Sequence, residues 1–143
     1  MLTIVDMMKM TTMTDNIRGI GNDIIEIDRI RDSFSYYGDK ILNRLLTLKE
    51  KQYCLSMHDP AIRFAGRFVA KEAISKALGC GIGQQLGWHD MEILNDSAGR
   101  PLVTFSPEAN SRLGSPHILL SISHCRLYAT AVALYLKDTA DNI

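Results

Sequence analysis

The sequence lacks a long apolar run, an excess of either charge and a paired set of cysteines. None of its apolar runs approaches the roughly 20 residues that a membrane-spanning helix needs. The 16 basic and 16 acidic residues cancel within a chain of 143 residues. The net charge therefore gives no reason to expect binding to nucleic acid or to an anionic membrane. Any recognition of charged molecules must depend on local patches.

Cysteine is scarce, since Cys54, Cys80 and Cys125 are the three in the sequence. An odd number at wide spacing offers neither a disulfide framework nor a zinc pattern. A reducing cytoplasm is the natural compartment for such a chain, so we predict a cytoplasmic protein. Cys80 lies in a glycine-rich segment where it could touch a ligand, but a thiol without a role is the favoured interpretation.

Three familiar site motifs are missing as well. The sequence has neither a Walker loop nor the Rossmann glycine fingerprint, the two common segments that cradle phosphates. It also lacks the Gly-x-Ser-x-Gly segment that presents a nucleophilic serine. The chemistry must therefore be sought in other charged side chains.

Length and an apolar content of 46% suit one domain with a proper core. We expect that domain over residues 17–143, after a flexible N-terminal leader over residues 1–16. Asp6 and Lys9 interrupt the apolar residues of the leader, which therefore does not fit a signal peptide. Five of the seven methionines fall in the first 13 residues, so Met13 is an alternative start.

Periodicity and turn residues place most helices before most strands, which favours an α+β fold over a doubly wound parallel sheet. The longest predicted helix is expected to be capped by Asp59 and to end at Gly79. Thr47 and Glu50 form a capping box that opens another helix. The predicted helices cover residues 26–37, 40–46, 48–57, 59–78 and 107–113, and the predicted strands cover residues 17–25, 88–94, 102–105, 118–123 and 128–136.

Two carboxylates stand out as candidate metal ligands. Asp23 follows Gly19-Ile20-Gly21 in the first strand, where the glycines would leave room for a ligand. Glu72 shares one face of the long helix with Ser75, Lys76 and Gly79, which predicts a polar stripe. Two carboxylates on rigid elements suit a Mg²⁺ ion that completes its shell with water and phosphate oxygens. Taken singly, Asp23 could equally be a turn or cap residue, and Glu72 a solvated partner of Lys76.

Candidate anion-binding groups accompany these carboxylates. Arg67, Lys71 and Lys76 lie on the long helix, and the backbone amides of residues 79–83 follow it. His124 ends the strand segment Ser-Ile-Ser-His, where it could meet a phosphate. A structural role remains the alternative for this histidine.

Three segments together resemble the holo-acyl carrier protein synthases, the small bacterial 4′-phosphopantetheinyl transferases. Residues 19–30 (GIGNDIIEIDRI) are similar to the first family motif, and residues 64–79 (FAGRFVAKEAISKALG) are similar to the second. Residues 121–124 (SISH), followed by residues 128–131 (YATA), resemble the third. The likeness spans roughly residues 18–134 and implies the 4′-phosphopantetheinyl transferase fold, in which helices pack on a small antiparallel sheet.

The resemblance also implies roles for individual residues. Asp23 and Glu72 would hold Mg²⁺ at the pyrophosphate of coenzyme A, and Lys76 would contact that pyrophosphate. Arg67 and His124 would reach the 3′-phosphate of the adenosine moiety. The remaining expectations concern the loop that begins at Gly79, which would line the coenzyme pocket, and Arg29, which would meet the acyl carrier protein.

The reaction implied is transfer of the phosphopantetheine arm of coenzyme A to a serine of apo-acyl carrier protein, which releases adenosine 3′,5′-bisphosphate and supports fatty acid biosynthesis. Neutralised phosphate oxygens and an in-line nucleophile are its main needs. Glu72 and a metal-bound water are both candidates for the base that takes the serine proton. The competing hypotheses are a metal-dependent pyrophosphate hydrolase and a binding module without catalytic activity.

Assembly is the last expectation. By resemblance, the short members of the family are homotrimers with three sites at the subunit interfaces. Residues 118–136 supply apolar strands that could pack against a neighbour, although burial in the core explains them equally well. In such a trimer we expect Asp23 and Glu72 to lie on opposite sides of an interface.

Overall fold

The computed structural model describes residue 1, residues 3–6 and residues 16–138. Most of the predicted leader over residues 1–16 lies outside the described residues. The elements, in chain order, are β1 (Ile17–Glu26), α1 (Ile27–Tyr37), α2 (Asp39–Leu45), α3 (Leu48–Leu55), α4 (Pro60–Leu78), a 3₁₀ turn (Trp88–Asp90), β2 (Met91–Asn95), β3 (Pro101–Phe105), α5 (Pro107–Leu113), β4 (His117–His124) and β5 (Tyr128–Leu136). This order confirms the predicted α+β class.

Two antiparallel sheets carry the strands. The larger has the order β1-β5-β4, and the smaller is the hairpin of β2 and β3. The register places Asp23 opposite Ala131 of β5, while His124 of β4 lies opposite Ala129 of β5. Because residues that lie opposite one another share a face of the sheet, Asp23 and His124 are on the same face.

Helix α4 packs directly on that face. A side chain at Gly19 would clash with the carbonyl oxygen of Ala77, and one at Gly21 would clash with that of Ala73. The two glycines therefore admit the helix backbone rather than a ligand, and the expectation that they make room for a ligand was wrong. Alanines on the helix complete this close contact, since both Ala73 and Ala77 are buried.

The core also encloses an ion pair between Lys71 of α4 and Glu50 of α3. The Lys71 ammonium donates to Glu50 Oε1 (2.6 Å) and to the backbone carbonyls of Leu45 (2.8 Å) and Trp88 (2.9 Å). Neither side chain of the pair is exposed. Burial lowers the pKa of Lys71, an effect that the charge of Glu50 opposes. The prediction that Lys71 is available to an anion was wrong, since its donors are used inside the protein.

Local side-chain bonds explain where the predicted elements differ from the observed ones. The capping box of Thr47 and Glu50 is confirmed, with bonds of 3.3 and 2.9 Å to the two backbone amides. Asp59 does not cap α4 through its side chain, because its carboxylate binds the Arg31 guanidinium at 2.9 and 2.6 Å. Residues 88–90 form a 3₁₀ turn instead of strand, because the Asp90 carboxylate accepts the backbone N–H of Gly87 (2.8 Å).

No helix among the described residues is both long enough and apolar enough to cross a membrane.

Candidate active site

An ion pair joins strand β1 to helix α4 near the C-terminal end of that helix. The ammonium of Lys76 donates to Asp23 Oδ1 (2.9 Å) and to the backbone carbonyl of Asn22 (3.0 Å). The Lys76 side chain is 50% exposed and that of Asp23 is 19% exposed. The cation can therefore move toward a bound ligand, while the carboxylate stays held by the rigid strand.

Glu72 lies one helical turn before Lys76 and belongs to the same cluster. Partial burial raises the pKa of its carboxyl, and the negative charge of Asp23 raises the pKa further, whereas Lys76 lowers it. Asp23 and Glu72 therefore lie near each other within one chain, close enough for their charges to interact. The expectation that a subunit interface separates them was wrong, because the contact of β1 with α4 inside the chain brings them together.

The predicted polar stripe of α4 is only partly correct. Ser75 is buried and its hydroxyl donates to the backbone carbonyl of Glu72 (2.7 Å). Lys76 makes its close ion pair with Asp23, not with Glu72. The polar side chains that face the cluster are thus Asp23, Glu72 and Lys76.

The donor set of this cluster fits Mg²⁺. The part of the chain that the structure describes contains no group of three or more His, Cys, Asp or Glu side chains that could hold a metal. Asp23 and Glu72 could supply two oxygen ligands, and burial together with the charge of Asp23 raises the pKa of Glu72. A hard cation that keeps several waters and shares its shell with phosphate oxygens needs no more protein ligands than these two.

The loop after α4 cannot cradle an anion as predicted. Gly79 ends the helix with a φ of 77°, in the left-handed region that favours glycine. The amides of Gly79, Cys80, Gly81 and Gly83 donate to carbonyl oxygens of the protein at 3.0 to 3.2 Å. These amides are therefore already bonded, and a ligand beside Gly79 would meet the loop by van der Waals contact.

His124 is exposed at the end of β4, on the same face of the sheet as Asp23. Strand β5 lies between them, and their partners on β5 are two residues apart, so about 10 Å across the sheet and about 7 Å along it separate the two backbones. The imidazole therefore does not join the cluster itself. It lies where the far end of an extended ligand could reach it.

Arg67 does not come together with the other predicted residues. It precedes Lys76 by nine residues, which places it on the opposite side of α4. Its guanidinium is buried, donates to Asn95 Oδ1 (2.7 Å) and lies 4.4 Å from the centre of the Tyr53 ring. These contacts do not support the predicted role as a phosphate ligand within one chain.

Arg29 lies on the first turn of α1 and is exposed, as a residue that meets a partner must be. Sequence reasoning missed the contributions of Asn22 and Thr130 to the cluster. The Asn22 carbonyl accepts from Lys76 (3.0 Å), and the Thr130 hydroxyl donates to the carbonyl of Asp23 (2.8 Å). The first contact depends on how α4 packs on β1 and the second on strand register, and the local sequence holds no signal for either.

Two carboxylates and a lysine thus lie together at the contact of one long helix with an antiparallel sheet, a set of groups whose chemistry suits a divalent cation and anionic oxygens. The family model described as the 4′-phosphopantetheinyl transferase superfamily matches residues 19–133. This match covers more than half of the chain, and the chain belongs to that superfamily.

Individual relatives agree with this assignment. The chain is 53% identical over 117 residues to a holo-[acyl-carrier-protein] synthase of Protochlamydia amoebophila, which covers 82% of this chain and 96% of the relative. A Helicobacter pylori holo-[acyl-carrier-protein] synthase solved with coenzyme A is 36% identical, with a TM-score of 0.74 and coverage of 81% and 98%. The Neisseria meningitidis synthase is 30% identical, with a TM-score of 0.80 and coverage of 85% and 99%.

Proposed function

We propose that this chain transfers the 4′-phosphopantetheine arm of coenzyme A to a serine of apo-acyl carrier protein. The observation that carries the proposal is the cluster of Asp23, Glu72 and Lys76 in a chain about half identical to named synthases over 82% of its length. The Helicobacter pylori relative is described in complex with coenzyme A, which supports the same co-substrate here. The products are holo-acyl carrier protein and adenosine 3′,5′-bisphosphate.

Asp23 and Glu72 would hold Mg²⁺ in this reaction. When bound, the cation supplies positive charge that neutralises the pyrophosphate oxygens of coenzyme A. Lys76 is exposed enough to turn from Asp23 toward the same oxygens. Holding the departing phosphate in this way lowers the barrier to its release.

Two side chains carry the remaining proposed roles at this end of the molecule. Glu72 and a metal-bound water are the two candidates to accept the serine proton, and both would lie at the cluster beside Asp23. His124, on the same face of the sheet, would contact the 3′-phosphate of coenzyme A. We assign no phosphate contact to Arg67, because Asn95 and Tyr53 engage it inside the core.

The outer face of the β1-β5-β4 sheet supports a homotrimer. This face exposes four aliphatic side chains, which belong to Ile20 (66%), Ile24 (62%), Leu119 (51%) and Val132 (38%). The register aligns them on the side away from α4. Apolar side chains clustered on one sheet face favour contact with a partner over contact with water. Assembly would bury this face in copies of the same chain.

The proposed setting is the cytoplasm, where acyl carrier protein serves fatty acid biosynthesis. The three cysteines are free thiols, as expected in a reducing compartment. The exposed Arg29 of α1 would contact the acidic surface of the carrier protein.

One experiment tests the proposal against its rivals. The protein is incubated with coenzyme A, Mg²⁺ and apo-acyl carrier protein, and the mass of the carrier is measured. A gain of one phosphopantetheine is the expected result. Cleavage of coenzyme A without carrier modification would instead indicate a pyrophosphate hydrolase. No change in either molecule would indicate an idle binding module.

A further inference from the structure

Two side-chain hydrogen bonds cross between β1 and β5 beside the metal-binding carboxylate. Asn22 Nδ2 of β1 donates to the carbonyl of Ala131 (2.9 Å), and the Thr130 hydroxyl of β5 donates to the carbonyl of Asp23 (2.8 Å). Asn22 Nδ2 also lies 3.4 Å from Thr130 Oγ1. Each strand thus holds the backbone of the other, and we call this pair of residues the Asn22–Thr130 clamp.

The clamp acts on the backbone that supports the site. The carbonyl of Asn22 accepts from Lys76 at 3.0 Å, and the next residue supplies the carboxylate that binds the same ammonium at 2.9 Å. Among the described residues β1 is an edge strand, with β5 as its one neighbour in the sheet. A movement of β1 relative to β5 at this point would shift the carboxylate and the carbonyl that together hold Lys76.

The glycines of β1 make such a restraint useful. Gly19 and Gly21 precede Asn22 and let the α4 backbone lie directly on one face of β1, but neither has a side chain that could contact β5. Glycine also leaves the backbone freer than any other residue. The side-chain hydrogen bonds of residues 22 and 130 add a restraint on the movement of β1 relative to β5, directly beside Asp23.

We propose that Asn22 and Thr130 are positioning residues that hold Asp23 in the geometry needed for transfer. This inference rests on the proposed function. Neither side chain belongs to the cluster of Asp23, Glu72 and Lys76, and both act through the β1 backbone. A placement error well below 1 Å at a metal ligand is enough to slow a reaction that depends on alignment.

The test compares Thr130→Val with Thr130→Ser. Valine keeps the β-branched shape and removes the hydroxyl, whereas serine keeps the hydroxyl. We expect kcat of Thr130→Val to fall about fivefold, the equivalent of one net hydrogen bond. We expect the KM for the carrier to stay unchanged and Thr130→Ser to retain nearly full kcat. Thr104→Val, on the exposed face of β3, is the matched control and should behave as the wild type.

A second readout does not depend on turnover. Binding of Mn²⁺ to the protein without coenzyme A, measured by electron paramagnetic resonance, should weaken in Thr130→Val and not in Thr130→Ser. Sedimentation of each variant shows whether its assembly is unchanged. Wild-type kcat in Thr130→Val, or equal loss in the valine and serine variants, would overturn the inference. Inactive wild-type protein would instead contradict the proposed function.

Discussion

Lys71 and Lys76 lie five residues apart on helix α4 and have opposite surroundings. Lys71 is fully buried among Glu50 and two backbone carbonyls, whereas the side chain of Lys76 is half exposed beside Asp23. Every donor of Lys71 is used to hold α4 against α2, α3 and the 3₁₀ turn. Lys76 faces open solvent, so a ligand can replace its present partners. The comparison separates a structural lysine from one that is available for chemistry.

The carboxylates repeat this contrast. Glu50 is fully buried, and its oxygens accept from Lys71 and from the backbone N–H of Ile93 (2.9 Å). Glu72 is adjacent in sequence to Lys71, but partial burial and the charge of a second carboxylate, Asp23, raise its pKa. The cations of the protein do not fully neutralise this pair of carboxylates. Such uncompensated negative charge favours the binding of a metal ion.

The largest effect is expected for Glu72→Gln, which changes the more exposed of the two charged groups, the cluster of Asp23, Glu72 and Lys76. The change removes one negative charge from the proposed metal-binding pair of Asp23 and Glu72 while it keeps the helix and the side-chain volume. Transfer should fall by at least about 10³-fold, since metal-assisted charge stabilisation is worth several kcal/mol. The rate of carrier modification measures this effect, and the thermal unfolding temperature should not fall. Near wild-type turnover at ordinary Mg²⁺ would contradict the metal assignment.

The next largest effect is expected for Lys71→Met, which breaks the buried ion pair of Lys71 and Glu50. Removal of the ammonium leaves the Glu50 carboxylate buried without its partner. The free energy of unfolding should fall by about 3–5 kcal/mol, as measured by urea denaturation. Lys76→Met is the matched control on the same helix and should lose less than about 1 kcal/mol, because its ion pair is partly solvated. Equal losses in the two variants would remove the distinction drawn between these lysines.

A smaller effect on catalysis is expected for Lys76→Ala. Loss of one charge-assisted contact to the pyrophosphate should lower kcat about tenfold, because the cation shares the phosphate charge. Steady-state rates at saturating coenzyme A and carrier measure the change. A loss as large as that of Glu72→Gln would show that Lys76 does more than share this charge.

The smallest effect is expected for His124→Ala, which lies two strands away from the cluster. Affinity for coenzyme A should weaken about fivefold, while kcat at saturation changes little. Calorimetric titration with coenzyme A and with its 3′-dephospho form separates the roles. The variant should bind the two forms with nearly equal affinity. If it still discriminated between them as the wild type does, the proposed contact with the 3′-phosphate would be wrong.

Local patterns were enough to predict much of the fold. The capping box at Thr47 and Glu50 and the glycine that ends α4 depend on near neighbours in sequence, and both are confirmed. Asp59 occupies the N-cap position of α4 as predicted, but its side chain makes no capping hydrogen bond, because a distant residue, Arg31, binds its carboxylate. A carboxylate that would otherwise cap its own helix binds a charged partner from another helix when that bond is stronger.

The sequence by itself determined the α+β class, the long helix, and the candidacy of Asp23, Glu72 and Lys76. Periodicity, capping residues and motif spacing are properties of near neighbours, so they can be read without coordinates. Tertiary structure alone decided which lysine is buried, why Gly19 and Gly21 are glycines, and that Asp23 meets Glu72 within one chain. The physical reason is that burial and strand register arise from contacts between residues far apart in sequence. Those contacts decide which of two identical side chains has a structural role and which is available to a ligand.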